Sequence, residues 1–329
     1  MNASTWHALR RLVLLLPLAM GIGFATAASA QSWPQRPVRI VVPFSAGGNT
    51  DSIARITAEW LTQKLGQTVI VENKPGAGGA IAAEFVARAP ADGYTLFMAT
   101  LPQMAVLPAM ARTPYDPVAD FAPVSIVASN HFALAVNDLI PAATLQELVA
   151  HVRRHPSRLV YASAGTGSLS HLSVVLLLKR AGLAMEHLAY KGGAPALADV
   201  VAGHVPMYFG NLAEIIPQAR GGKIKVLAVS GDKRAPQLPN VPTVAEQGFP
   251  GFSTNTWNAI AAPAKTPQTV IDRLAREIAQ AARDPGFVQR LENIGVEPVG
   301  NTPAEFAAQL KSDLEIWAEA VRIAGIKAD

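Results

Sequence analysis

Two short stretches carry the residue types best suited to chemistry. "VVPFSAGGNTD" (41–51) and "YASAGTGSLSH" (161–171) share a Ser-Ala-Gly core, and each lies between an apolar run and a helix-like segment. In the first, Gly47 and Gly48 strip the backbone of side chains, and Asn49, Thr50 and Asp51 can each cap a helix. In the second, Thr166, Gly167 and Ser168 offer two hydroxyls and bare backbone. Where a strand hands over to a helix, the helix end presents free N–H groups and roughly half a positive charge. A glycine-rich turn there lets an anion reach those amides, and a carboxylate suits it. Charge-assisted hydrogen bonds are worth roughly 1.5–3 kcal/mol each, so three or four reach about micromolar affinity after the loss of ligand freedom. A single such loop is read as readily as a tight turn with a capping Asp. Two of one design favour an anion site. Asp51 would repel an anion if it faced the pocket, so it is expected to turn back onto its own helix N-terminus. His171 either lines the cleft or packs against the sheet.

Other chemistries lack their residues. No G-x-G-x-x-G follows Val42 and no Walker lysine is present, which argues against nucleotides. Ser163 is preceded two residues earlier by Tyr161 rather than Gly, so there is no nucleophile elbow. No H-E-x-x-H occurs, the seven histidines are dispersed, and cysteine is absent, so zinc, thiolate and disulfide chemistry have no ligand set. Lys191 in "YKGGAP" reads as part of another cleft loop at a strand end. No cofactor or metal is expected.

The elements that position these loops alternate along the chain. "PVRIVVP" (37–43) reads as a buried strand and "DSIARITAEWLTQKLG" (51–66) as a helix with Ile53, Ile56, Trp60 and Leu61 on one face. "TVIVEN" and "YTLFMAT" are further strands, with "AIAAEFVARA" a helix between them. After "APVSIVAS" and "FALAVN" the cycle restarts: strands "RLVYAS", "MEHLAY", "VPMYFG" and "KIKVLAVS" alternate with helical segments. Such alternation predicts an α/β fold, mixed but mostly parallel sheets flanked by helices, with ligands at the carboxyl ends of the strands. Extended segments near 128–135 divide the chain into two lobes. The last two helical segments each begin with Thr-Pro, an N-cap followed by Pro at the first helical position.

Of the 329 residues the first thirty read as a cleaved secretory leader. They carry Arg10 and Arg11, an apolar run from Leu12 to Phe24, and a closing Ala28-Ser29-Ala30. The formal charge of +4 includes those two arginines, and the other basic residues are scattered without an aromatic-laced stripe, so no nucleic-acid partner is expected. About 300 residues without disulfides can bury a sufficient core as one large or two ordinary domains.

Several longer stretches carry a resemblance. "RPVRIVVPFSAGGNTD", "GQTVIVENKPGAGG", "YASAGTGSLSH", "AYKGGAPALADVVAGHV" and "VLAVSGDKRAPQLPNVPTVAEQG" resemble the Bug family, the extracytoplasmic receptors of tripartite tricarboxylate transporters. The likeness spans almost the whole chain after the leader. It implies a two-lobed periplasmic-binding-protein-like (class II) fold, with lobe 1 from 31–131 plus 256–329 and lobe 2 from 132–255. It implies a soluble, monomeric, non-enzymatic receptor in the periplasm that closes on a small organic carboxylate and serves membrane transporter subunits. Carried onto this chain, the family's contacts fall on Phe44, Ser45, Ala46, Gly47, Gly48 and Asp51 in the first loop. In the second they fall on Ser163, Gly165, Thr166, Gly167, Ser168 and His171. Thr100, Tyr190, Lys191, Gly192 and Asn211 complete the set. Two departures stand out. Phe209-Gly210-Asn211 stands where the family commonly has Phe-Asp-Asn, and "LPQMAVLP" after "MAT" puts Leu101, Pro102 and Met104 where small polar residues are usual. If that loop lines the cleft, the guest is expected to have one carboxylate and an apolar or aromatic body. The rival reading is a periplasmic hydrolase or isomerase acting on a carboxylate in the same cleft. A third is a sensor subunit presenting its closed form to a signalling partner.

Overall fold

Short β-branched runs become strands here wherever helices cover both faces, and the helices start where a turn supplies a cap. The structure, a computed structural model, describes residues 33–155, 159–190 and 192–326. The expected leader and Lys191 lie outside the described residues. From Arg36 onward the chain packs as one unit. Its first half runs β1 (Val38–Val42), α1 (Asn49–Leu65), β2 (Val69–Asn73), α2 (Ala80–Ala87) and β3 (Thr95–Thr100). A π-helical turn, Pro102–Val106, then leads into α3 (Leu107–Met110) and β4 (Phe121–Asn130). The second part is β5 (Phe132–Val136), α4 (Leu145–Arg154), β6 (Val160–Ser163), α5 (Leu169–Ala181), β7 (Glu186–Ala189), α6 (Gly193–Ala202), β8 (Met207–Asn211), α7 (Leu212–Arg220) and β9 (Lys225–Val229). The chain ends with β10 (Thr256–Pro263), α8 (Gln268–Ala281), α9 (Pro285–Asn293), β11 (Glu297–Pro298) and α10 (Pro303–Ala324).

Two sheets result, ordered β11-β4-β10-β3-β1-β2 and β7-β6-β8-β5-β9. In the first, β1 pairs in parallel with β2 and β3, while β10 runs antiparallel to β3 and β4. In the second, β6 is parallel to β7 and β8, and β5 is antiparallel to β8 and β9. Both sheets are therefore mixed, with most strands sharing a direction. β3 and β5 are buried along their whole length, as strands covered on both faces are. Parallel pairing has a consequence for the loops. It brings the turns after β1 and β3 to one end of the first sheet, and those after β6, β7 and β8 to one end of the second.

The chain passes between sheets twice, through His131 and through 230–255. Ser230 ties the two passages together. Its Oγ accepts from the Phe132 amide (2.9 Å) and donates to Asn255 Oδ1 (2.8 Å), and its own amide donates to the Phe132 carbonyl (2.9 Å). The C-terminal α10 packs on α5 of the second sheet and on the Pro102–Val106 turn of the first, burying Phe306 and Trp317.

The two Thr-Pro starts behave differently. Thr302 caps α10 with a full capping box shared with Glu305. Ahead of α8 the cap position falls on Pro267 instead, because the Thr266 hydroxyl donates to the Pro263 carbonyl at 2.7 Å and is buried.

Candidate functional site

The first loop is built around Asp51. Its carboxylate, 3 % exposed, accepts from the Gly47 amide (2.9 Å), from Arg55 (2.9 and 3.1 Å) and from Asn73 Nδ2 (3.0 Å). Burial alone would raise this carboxyl, but the hydrogen bonds from Arg55, Gly47 and Asn73 bring it below the usual carboxylate range. Asp51 thus turns back into its own loop, and the Gly47 amide is spent on it. Gly47 has φ +88°, the left-handed region a glycine tolerates. Phe44 through Gly48 are exposed.

The second loop is held by its hydroxyls and one imidazole. Ser168 caps α5, accepting from the His171 amide (3.3 Å) and donating to the Gly165 carbonyl (2.6 Å). Ser170 Oγ accepts from the Ala164 amide (2.8 Å), and His171 Nδ1 accepts from the Gly167 amide (3.1 Å). An accepting Nδ1 means a neutral ring with its proton on Nε2. Burial, with the His187 ring stacked 3.7 Å away, pushes His171 down to about 4. Ser163 Oγ lies 2.6 Å from His187 Nε2, a contact that residue spacing did not announce. Ser163 is fully buried and also bonds Gly165, so it presents no accessible nucleophile.

The amides left over are one step further into α5. The N–H groups of Leu169 and Ser170, the first two of the helix, have no hydrogen-bond partner among the described residues. Both residues line a cavity of about 270 Å³. Ala164, Gly167 and Ser168 border it from the same loop, Gly193 from the start of α6, and Tyr208, Asn211 and Glu214 from the end of β8 and the start of α7. Three helix N-termini therefore converge on one space, each contributing roughly half a positive charge. Phe132, Pro102 and Val106 supply an apolar wall, the last two from the far side, beyond β3. No Lys or Arg appears among the described lining residues; the positive potential there comes from the helix N-termini, beside the carboxyl of Glu214.

Gly167, Ser168 and Asn211 are thus the sequence candidates that line this cavity. Asn211 also caps α7, accepting from the Ala213 amide at 3.0 Å. Thr166 is exposed, and Gly165 (φ +135°) turns the loop. Gly192 caps α6 and donates to the Ala164 carbonyl (3.1 Å), while the Tyr190 hydroxyl turns away to Asp199 Oδ2 (2.5 Å). Thr100 is buried against Gln103. The first loop is absent from the lining, yet the parallel β1–β3 pairing puts it beside the turn that carries Pro102.

The expected greasy loop is corrected in detail. Leu101 and Met104 are fully buried in the core because the segment coils into a helical turn, and Pro102 and Val106 take the cavity face instead. Gly210 has its own reason. A Cβ there would lie 1.8 Å from Tyr208 Cε1, so the Tyr208 ring fills the room a larger residue would need. Sequence reasoning missed Ser170, Gly193, Tyr208 and Glu214. A signal for Ser170 existed: once Ser168 is read as the cap, Leu169 and Ser170 must carry the unpaired amides.

The profile of the tripartite tricarboxylate transporter family receptors matches residues 53–323. The chain belongs to that receptor family. Protein BugT of Bordetella pertussis is 34% identical to this receptor over 307 residues, 93% of this chain and 94% of that one. Among solved structures, Rpa4515 of R. palustris with adipate is 35% identical with a TM-score of 0.76, covering 90% of this chain and 99% of that one. MatC from Rhodopseudomonas palustris with bound malate is 32% identical with a TM-score of 0.72, covering 88% and 100%. The receptor has the two-lobed periplasmic-binding-protein fold of these relatives. Among its described residues no helix is long and apolar enough to cross a membrane.

Proposed function

We propose that this receptor works in the periplasm, capturing one small organic carboxylate between its lobes and presenting it to membrane subunits of a tripartite tricarboxylate transporter. The observation that carries the reading is the pair of amides, Leu169 and Ser170, unpaired among the described residues and facing a cavity on which three helix N-termini converge. Adipate and malate, bound by relatives, are the first guests to try. Pro102, Val106, Phe132 and Leu169 favour an acid with a carbon body over a tri-acid such as citrate.

The lobes are proposed to divide where the chain crosses between sheets, at 131/132 and 255/256. Closure would bring the exposed first loop, Phe44–Gly48, onto the guest, with Asp51 pinning that loop and His171 pinning the second. Thr166, Tyr190, Lys191 and Gly192 would rim the closed cleft. Differential affinity drives the swing. Moving the hinge from 1:99 to 99:1 takes roughly 5.5 kcal/mol of preference for the closed form. The role is transport rather than catalysis, a reading supported by the complete burial of the Ser163 hydroxyl, the hydrogen-bond partner of His187. The leader is proposed to be cleaved after Ala30 and the receptor to act as a monomer.

Calorimetric titration with adipate, malate and citrate tests the reading. Binding of adipate or malate ahead of citrate is expected, and no binding of any acid contradicts it. Gly47→Asp tests the first loop. A Cβ at Gly47 meets nothing within 4 Å, so the fold should persist at a cost of about 1–2 kcal/mol for the left-handed φ, while affinity is lost. Unchanged affinity would show that this loop does not grip the anion.

A further inference from the structure

Glu214 is the single charged side chain among the described residues lining the cavity, and it is the wrong sign for a pocket that takes an anion. It has no ion-pair partner among the described residues. Its spacing from the Asn211 cap, N-x-x-E, is that of a capping box, in which the carboxylate would turn back onto the cap amide. That bond is not made. The Asn211 side chain caps Ala213 on its own. Glu214 instead reaches across to the start of α6. A Cβ built on Gly193 would lie 2.3 Å from Glu214 Oε2 and 2.6 Å from the Tyr208 hydroxyl oxygen, so both oxygens crowd over Gly193 inside the lining. Burial raises this carboxyl despite the Tyr208 hydroxyl beside it. An acid with only carbon between its carboxylates leaves Glu214 facing either repulsion or a lost hydrogen bond. A guest that brings its own donor removes both penalties.

We propose that Glu214, with Tyr208, reads a hydrogen-bond donor on the bound acid, so that the receptor selects carboxylates bearing an amino or hydroxyl group over their unsubstituted counterparts. The proposal rests on the reading that this cavity holds a small carboxylate, and it names which ones. Gly193 is part of the arrangement: the absence of a side chain there leaves room for Glu214 Oε2 and the Tyr208 hydroxyl at the guest's flank. The carboxylate end of the guest would meet the amides of Leu169 and Ser170, and its donor would meet Glu214.

The test is calorimetric titration of the wild-type protein and of Glu214→Gln against matched acids: succinate, malate and aspartate, then adipate and 2-aminoadipate. The wild type is expected to bind a substituted member at least about tenfold tighter than its unsubstituted partner, the size of one hydrogen bond to a charged group. In Glu214→Gln that preference should collapse, chiefly because the unsubstituted acid gains. If unsubstituted acids bind the wild type as tightly as the others, the proposal is overturned while the carboxylate reading stands. Uptake of a proton on binding an unsubstituted acid, seen as a dependence of the heat on buffer ionisation, overturns it too, since Glu214 would then serve as a donor itself. If no acid in the panel binds, both readings fall. The wild-type comparison needs no variant, so poor folding of Glu214→Gln does not blunt the test.

Discussion

His171 offers the sharpest test of how the second loop is held. Its ordinary pKa of 6.5 is pushed down to about 4 by burial, with His187 contributing. A basic group depressed in the folded state leaves the unfolded chain holding more protons between those values. Its contribution to stability therefore rises with pH through that window and is fully present above it. The whole shift amounts to about 3 kcal/mol, of which about 2 kcal/mol is lost by a pH near 4.5. Asp313 works in the opposite direction. It is buried, accepts from Trp257 Nε1 (2.7 Å) and Gln309 Nε2 (2.9 Å), and burial raises it from 3.8 to about 6. Here the native state holds the extra proton, so its contribution grows as the pH falls through 6, also by about 2 kcal/mol near pH 4.5. The wild-type profile hides both effects, and single variants separate them. His171→Asn keeps an acceptor for the Gly167 amide but takes no proton. Urea unfolding followed by tryptophan fluorescence, near pH 7 and near pH 4.5, should show this variant about 2 kcal/mol better off in acid, relative to wild type, than at neutrality. Asp313→Asn should shift by a similar amount the other way. A His171→Asn profile parallel to wild type would refute the claim that a neutral, buried imidazole accepts from Gly167.

Two further outcomes follow from particular contacts. Gly193→Ala puts a methyl 2.3 Å from Glu214 Oε2, in a helical position where Ala is itself favoured by up to about 1 kcal/mol. Unfolding should change little while malate affinity falls at least about tenfold, and unchanged affinity would mean the guest sits elsewhere. Ser230→Ala leaves the buried Phe132 amide without the hydroxyl it donates to, and should cost about 1–3 kcal/mol in urea unfolding. No measurable loss would show that Ser230 does not brace the crossing between sheets.

Much of this was legible in the sequence because it rests on local rules. Strand–helix alternation gave two mixed sheets, and the Ser-Ala-Gly turns fell at strand ends because parallel strands must return over the sheet. The inward turn of Asp51 followed from charge alone. What escaped was the distribution of hydrogen bonds within a loop. Ser168 looked like a ligand donor, yet as a cap it spends its hydroxyl on Gly165 and His171, and Gly167 spends its amide on the imidazole. The free donors moved to Leu169 and Ser170. Glu214 and Tyr208 escaped for another reason. Their place in the cavity depends on how α6 and α7 pack side by side, which periodicity within either helix does not encode. Which of Leu101, Pro102 and Met104 would face the cavity was left open, because a loop was expected where the chain coils.

The central claim is that two backbone amides at the start of α5 hold the charged end of the guest. A crystal structure of the receptor soaked with malate or adipate tests it most directly. A carboxylate oxygen is expected within about 3 Å of the Leu169 and Ser170 nitrogens, in the cavity bordered by Gly193 and Asn211. An acid bound to lysine or arginine side chains elsewhere, with those amides left to water, would contradict it.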